Sequence, residues 1–227
     1  MRGKPVNISF LRISHVPGLS KMRLYHSHIP GCCFCYNFRD MKPLILASQS
    51  PRRKELLEKC GMPFVVEAAD IDETLNPGLT LEEGVKDLSF RKAKAVLELH
   101  PDAVVIGSDT IVVKDGRVLG KPKDRKEARA MLELLSGASH QVITGLCILS
   151  GKREYRNASV SEVTFAKLSE EEITAYLESG EADDKAGAYG IQGKAGNFIT
   201  GIHGDYYAIM GLPVSMIYQE LKNYIFY

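Results

Sequence analysis

The chain has 227 residues, 44% hydrophobic and 25% charged, an ordinary globular make-up with room for one large α/β domain or two small ones. Its net charge of +1 gives no general attraction to nucleic acid or anionic membranes, so any anion must be held by local placement of charge. Trp is absent, no basic-aromatic stripe occurs, and no run approaches the ~18 apolar residues of a membrane span, which argues against a nucleic-acid module or a membrane protein.

Residues 1–40 hold His15, His26, His28, Cys32, Cys33 and Cys35 with scattered basic residues and no clear period. No apolar core of signal-peptide length follows Arg2 and Lys4. Cys-Cys-x-Cys also lacks the spacing of a zinc finger. The segment therefore reads as an extension outside the fold, with the folded domain covering 41–227. Beyond it only Cys60 and Cys147 remain, both in apolar surroundings, which fits a reducing cytoplasm without disulfides.

Pro43–Ala47 reads as a short buried strand. Ser50 is a good helix N-cap, Pro51 suits the first helical position, and Leu56, Leu57 and Cys60 give the helix an inward face before Gly61 ends it. Arg52 and Arg53 occupy the first turn, where the positive end of the helix dipole disfavours cations. Two cations, free backbone N–H groups and a serine-rich turn point to a site for a polyanion, with phosphate the working choice. Two solvated surface arginines are the plain alternative.

Phe64–Glu67 reads as a second strand leading to an acidic loop with Asp70, Asp72 and Glu73. Thr80 caps a helix over 81–99, with Val85, Leu88, Ala93, Val96 and Leu97 facing inward. Ala103–Gly107 is a continuous apolar run expected to be covered on both faces. Asp109 is read as closing that strand, beyond the carboxyl edge of the sheet. Asp115-Gly116 signals a hairpin between apolar runs. Lys121, stiffened by Pro122, follows, and Asp124 caps a helix over 125–135.

Alternating strands at about 140–150 and 155–167 predict an antiparallel pair. Ser169 and Glu172 form a capping box opening a helix to about Ser179. A glycine-rich stretch over 187–204 includes a short strand near 198–202, and Pro213 opens a last helix to about Asn223. Early alternation of strands and helices with later hairpins predicts an α/β fold. It is a mixed twisted sheet flanked by helices, in two lobes around a central cleft.

Asp109, Glu73 and Asp184 would repel one another if they converged without a cation. Bound Mg²⁺ or Mn²⁺ removes that repulsion, and hard oxygen ligands suit those ions. Lys121 and Lys185 add to the arginine pair, while Gln192 can both donate to and accept from the edge of a base. A cationic cradle facing a carboxylate cluster is the chemistry of metal-dependent phosphoryl or nucleotidyl hydrolysis. No Walker A motif is present.

Five stretches carry a resemblance: Ala47–Arg53, Ile71–Glu73, Gly107–Thr110, Gly120–Pro122 and Asp184–Gly193. In order and spacing they resemble the Maf proteins, nucleoside triphosphate pyrophosphatases similar in fold to inosine triphosphatase. The resemblance runs from about Pro43 to Leu221. It implies hydrolysis between the α and β phosphates, releasing a nucleoside monophosphate and pyrophosphate. Asp109 matches the general base and Glu73 a metal ligand or water-orienting group. Ser48, Arg53, Lys92 and Lys121 match positions that hold the triphosphate or support the site. Arg52, Thr110 and Gln192 match the positions that set substrate preference, and the motifs resemble the branch preferring dTTP and UTP. Removal of modified nucleotides such as 5-methyl-UTP or pseudo-UTP and homodimer formation are further implications. The competing readings are a 7-methyl-GTP or modified-purine pyrophosphatase and a non-catalytic nucleotide-binding regulator of cell division.

Overall fold

The computed structural model describes residues 42–225, so the extension over 1–40 and its Cys/His cluster lie outside the described residues. Seven strands form one mixed sheet: β1 (Leu44–Ala47), β2 (Val65–Val66), β3 (Val104–Lys114), β4 (Arg117–Leu119), β5 (Ser139–Ser150), β6 (Glu154–Phe165) and β7 (Ile199–His203). Their order is β2-β1-β3-β5-β6-β7, with β4 paired to the far end of β3. β1 runs parallel to both neighbours, and every pairing from β3 onward is antiparallel.

The helices are α1 (Pro51–Glu58), α2 (Leu81–Leu99), α3 (Arg125–Leu135), α4 (Glu170–Glu178), α5 (Tyr206–Met210) and α6 (Val214–Ile225). Their caps follow the sequence. Ser50, Thr80, Asp124 and Ser169 each accept from a backbone N–H three residues on, and Ser169 with Glu172 completes the capping box. At the β3–β4 turn Asp115 and Gly116 both have positive φ, 51° and 75°, as a tight hairpin turn requires.

Three differences from expectation matter. The regular part of the second strand shortens to Val65–Val66 at the sheet edge, with an isolated bridge at Phe64 and the Glu67 N–H donating to the Leu46 carbonyl at 3.1 Å. The five-residue α5 is too short to have a readable period. Most important, Asp109 does not end its strand. β3 runs unbroken from Val104 to Lys114, because β5 pairs with it from Ser150 through Gln141. It is the other neighbour, β1, that stops, its last pair being Ala47 with Gly107. Asp109 therefore sits in mid-strand, beside the carboxyl end of β1 and the turn into α1.

Alternation along β3 distributes the core. Val105, Ile111 and Val113 face α2, packing with Ala93, Val96 and Val85. On the opposite face, Ile106 joins Leu146, Ile148 and the inward residues of α1 and α6. Further along that face, Val112 joins Val142, Val163, Phe165 and the helices α3 and α4. The two clusters on this face are the lobes, and both touch Met210 of α5. Each fully buried Leu or Ile contributes about 1.5–3 kcal/mol of transfer free energy. Between the lobes, Ser108 and Thr110 occupy the same face of β3, and polar chemistry replaces core.

Candidate active site

The turn after β1 delivers Ser48, and α1 begins at once, carrying Arg52 and Arg53 in a first turn with no acidic residue. Arg53 folds back toward the sheet, its side chain only 13% exposed. Its Nε donates to the Gly211 carbonyl at 2.9 Å, Nη1 to Ser48 Oγ at 3.5 Å and Nη2 to Thr110 Oγ1 at 3.3 Å. Nη2 also stands 4.0 Å from Asp109 Oδ1. Burial pulls the Arg53 pKa down, and Asp109 and Glu73 oppose it. The guanidinium stays charged.

Asp109 faces α2, where the helix lies unusually close. A Cβ added to Gly107 would stand 2.1 Å from the Ser89 carbonyl oxygen, and one added to Gly145, paired with Asp109, 2.4 Å from that of Val85. With both side chains absent, α2 rests its backbone on the strands and Lys92 reaches the carboxylates. Lys92 Nζ, on a residue only 5% exposed, lies 2.7 Å from Asp109 Oδ1 and 2.7 Å from Glu73 Oε1. The expected repulsion among unneutralised carboxylates is corrected here, since a lysine of the chain itself sits between two of them. Its hydrogen bond is the main reason the Glu73 carboxyl is held below its usual range, with Lys121 and Arg53 adding to the pull. Lys121 itself is exposed.

Glu73 rides on a loop that α2 also grips. Arg91, braced by Asp87 at 2.9 Å, donates to the carbonyls of Asp72 at 2.5 Å and Thr74 at 2.7 Å, on either side of Glu73.

A second cluster gathers on the loop before β7. Asp184 accepts from Arg52 at 3.1 Å and from Lys185 at 2.6 Å, and these cations, Lys185 first, hold its pKa down. Lys185 donates as well to the Glu181 carbonyl at 2.6 Å. Gln192 is exposed, with its Oε1 close to Gly190. Gly187 N–H donates to the Gly120 carbonyl at 3.0 Å, tying this loop to the residue before Lys121. From beneath, Tyr189 bonds its hydroxyl to His140 Nε2 at 2.7 Å and stacks edge-on against Phe165. Burial and nearby Lys114 push the His140 pKa down to about 4, so the ring is neutral near pH 7.

The structure thus brings Ser48, Arg53, Glu73, Lys92, Asp109 and Thr110 together, with Lys121 close to Glu73 and Arg52 beside Arg53. It does not bring Asp184 to the Asp109–Glu73 pair. Among the described residues no three His, Cys, Asp or Glu side chains gather as a metal cluster. Two carboxylates meeting at one point still fit a hard divalent ion, since Mg²⁺ takes one or two carboxylates and completes its shell with water and phosphate oxygens. The shallow hollows on α4 and beside Phe90 lie elsewhere.

Sequence reading passed over Arg91, Thr144 and Gly145. Thr144-Gly145, a hydroxyl and a missing side chain inside an otherwise apolar strand, was the available signal; for Arg91 it was the Asp87–Arg91 spacing on a helix.

Among known proteins, the family model for "Maf-like protein" matches residues 43–224. The chain is 48% identical over 184 residues to the dTTP/UTP pyrophosphatase of Bacillus cytotoxicus, covering 81% of this chain and 96% of that one. It is 49% identical over 184 residues to the dTTP/UTP pyrophosphatase of Bacillus pumilus, covering 81% and 97%. A Bacillus cereus protein of the same name is 48% identical over 185 residues, covering 82% and 91%. Among solved structures, protein VC0702 from Vibrio cholerae overlaps 61% of this chain and 68% of its own at 12% identity, with a TM-score of 0.33, too slight a likeness to bear on the fold. Among the described residues no helix is long and apolar enough to cross a membrane.

Proposed function

Because the chain belongs to the Maf-like protein family, we propose that it is a cytoplasmic nucleoside triphosphate pyrophosphatase. Its substrates are dTTP and UTP, and modified pyrimidine triphosphates such as 5-methyl-UTP fall in the same class. Water attacks the α-phosphate, and the products are the nucleoside monophosphate and pyrophosphate. The observation that carries this reading is the Asp109–Lys92–Glu73 constellation standing 4.0 Å from the Arg53 guanidinium.

The cationic half holds the substrate. Arg53 offers a planar fork suited to phosphate oxygens, with Ser48, Arg52, Lys121 and Lys185 around it. The acidic half does the chemistry. Asp109 accepts a proton from the attacking water, and Lys92, 2.7 Å away, fixes that carboxylate in direction. Glu73, clamped through its neighbours by Arg91, orients the water from the other side of Lys92. Asp109 and Glu73 would hold the divalent cation, Mg²⁺ or Mn²⁺; when bound, it supplies neutralisation of phosphate charge and a more acidic water. Gln192, exposed at the loop, reads the base, and the name carried by the Bacillus relatives supports a pyrimidine there.

The test is pyrophosphate release from dTTP, UTP, GTP and 7-methyl-GTP, with product identification. Asp109→Ala and Glu73→Ala each abolish release while remaining folded, as circular dichroism checks. Near-normal turnover in either folded variant overturns the assignment, and a preference for 7-methyl-GTP overturns the substrate.

A further inference from the structure

Thr144 stands in the middle of β5, 0% exposed and paired with Thr110 across the β3–β5 ladder. Its Oγ1 lies 2.7 Å from the Ala208 carbonyl oxygen and 3.0 Å from Thr110 Oγ1. A carbonyl oxygen only accepts, so the single hydrogen of the Thr144 hydroxyl goes to Ala208. Thr144 Oγ1 can then only accept from Thr110, which commits the Thr110 hydrogen in turn. Thr110 Oγ1 accepts from Arg53 Nη2 at 3.3 Å, while Arg53 Nε donates to Gly211 at 2.9 Å. Every hydrogen in the chain points the same way, from Arg53 to Thr110 to Thr144 to Ala208.

We propose that Thr144 is a positioning residue of the phosphate site, one that sets this proton order and so presents Thr110 to Arg53 as a pure acceptor. The opposite order would turn a hydroxyl hydrogen toward the guanidinium hydrogens and push the fork out of place. Ordered chains also polarise their members, strengthening the bond at the charged end. Both anchors lie on one short segment, since Ala208 belongs to α5 and Gly211 caps it. The guanidinium plane is thereby fixed at two points before any phosphate arrives, which lowers the cost of ordering it on binding. A second consequence concerns Thr110. With its hydrogen committed, it can meet a nucleobase only as an acceptor or through its methyl group.

This role rests on the reading of Arg53 as a phosphate ligand, so its test has a binding arm independent of turnover. Thr144→Val keeps the shape and removes the hydroxyl, and the Ala208 carbonyl still accepts from the Gly211 N–H at 2.9 Å. Calorimetry with α,β-methylene-dTTP, in the presence of Mg²⁺, measures affinity; pyrophosphate release from dTTP, UTP and GTP measures KM and kcat. Thr144→Val weakens analogue binding and raises KM by about tenfold, by the same factor for each nucleotide, with kcat changed by less than about twofold. Thr144→Ser returns both to within about twofold of the parent. Unchanged affinity in a folded Thr144→Val, a loss that serine does not restore, or an altered dTTP to GTP ratio overturns the proposal. Should Thr144→Val not fold, Thr110→Val breaks the same chain one link earlier and weakens analogue binding likewise; unchanged affinity there overturns it. If the parent binds the analogue yet releases no pyrophosphate, the pyrophosphatase reading falls while the binding arm still decides the role of Thr144. If the parent binds no analogue, both fall.

Discussion

Gly145 lies beneath the Val85 carbonyl so closely that a Cβ there would stand 2.4 Å from the oxygen. That contact sets the height of α2 above the sheet, and with it the reach of Lys92. Gly145→Ala forces the helix outward, at about 1–3 kcal/mol in urea unfolding. It also lowers kcat at least about tenfold, because the Lys92–Asp109 pair is pulled apart. Gly201→Ala, whose added carbon meets nothing nearer than 3.8 Å, leaves both measurements near the parent values. Full activity in Gly145→Ala would show that Lys92 does not depend on the close approach.

Lys92 should also set the acid side of the pH profile. Its hydrogen bond holds the Glu73 carboxyl below the usual range, so Glu73 stays ionised into mildly acid solution. Stability from this pair is present above the unfolded pKa of Glu73 and lost as pH falls through the depressed folded value. In Lys92→Met the Glu73 pKa rises, and the acid limb of kcat/KM moves to higher pH. A limb that stays in place would separate Glu73 from that ionisation.

The metal set is testable without turnover. Mn²⁺ binding followed by electron paramagnetic resonance weakens at least about tenfold in Asp109→Asn and in Glu73→Gln, each of which removes a charged oxygen donor. Asp184→Asn keeps Mn²⁺ affinity and changes pyrophosphate affinity instead, since it frees Arg52 and Lys185 from their carboxylate partner. Equal loss of Mn²⁺ in Asp184→Asn would bring Asp184 back as a third ligand.

Gln192 lies on an exposed turn. Gln192→Ala should change the ratio of dTTP to GTP hydrolysis more than the Mg²⁺ response. An unchanged substrate profile removes it from base recognition.

How much of this was readable before folding differs residue by residue. The Arg52–Arg53 anomaly was plain, because a helix N-terminus has a known electrostatic preference and two cations violate it. The caps at Ser50, Thr80, Asp124 and Ser169 were plain for the same local reason. Asp109 reads from the sequence as the end of its strand, whereas the structure puts it in mid-strand. A Gly-Ser-Asp-Thr run looks like a strand end, and only the partner's register shows that β5 carries the strand through it. Lys92 is harder still. On a helix it is one charge among many, and its burial follows from two glycines on strands more than ten residues away in sequence. The resemblance supplied the position; the geometry supplies the cause.

His140 offers a stability test independent of the site chemistry. Its pKa is about 4 when folded, against an ordinary value near 6.5, so the unfolded chain binds the proton first. Stability from the neutral ring is present above the unfolded value and is lost as pH falls from about 6.5 toward 4. The urea midpoint of the parent should drop across that window relative to His140→Gln. Parallel curves would mean that the ring titrates normally.

β3, β5 and β6 pass without a break from one hydrophobic cluster to the other. Halves joined by a continuous ladder cannot swing about a hinge in the way that two domains joined by loops can. An incoming nucleotide therefore meets two halves at a fixed spacing, and neither half can swing over it as a hinged domain would.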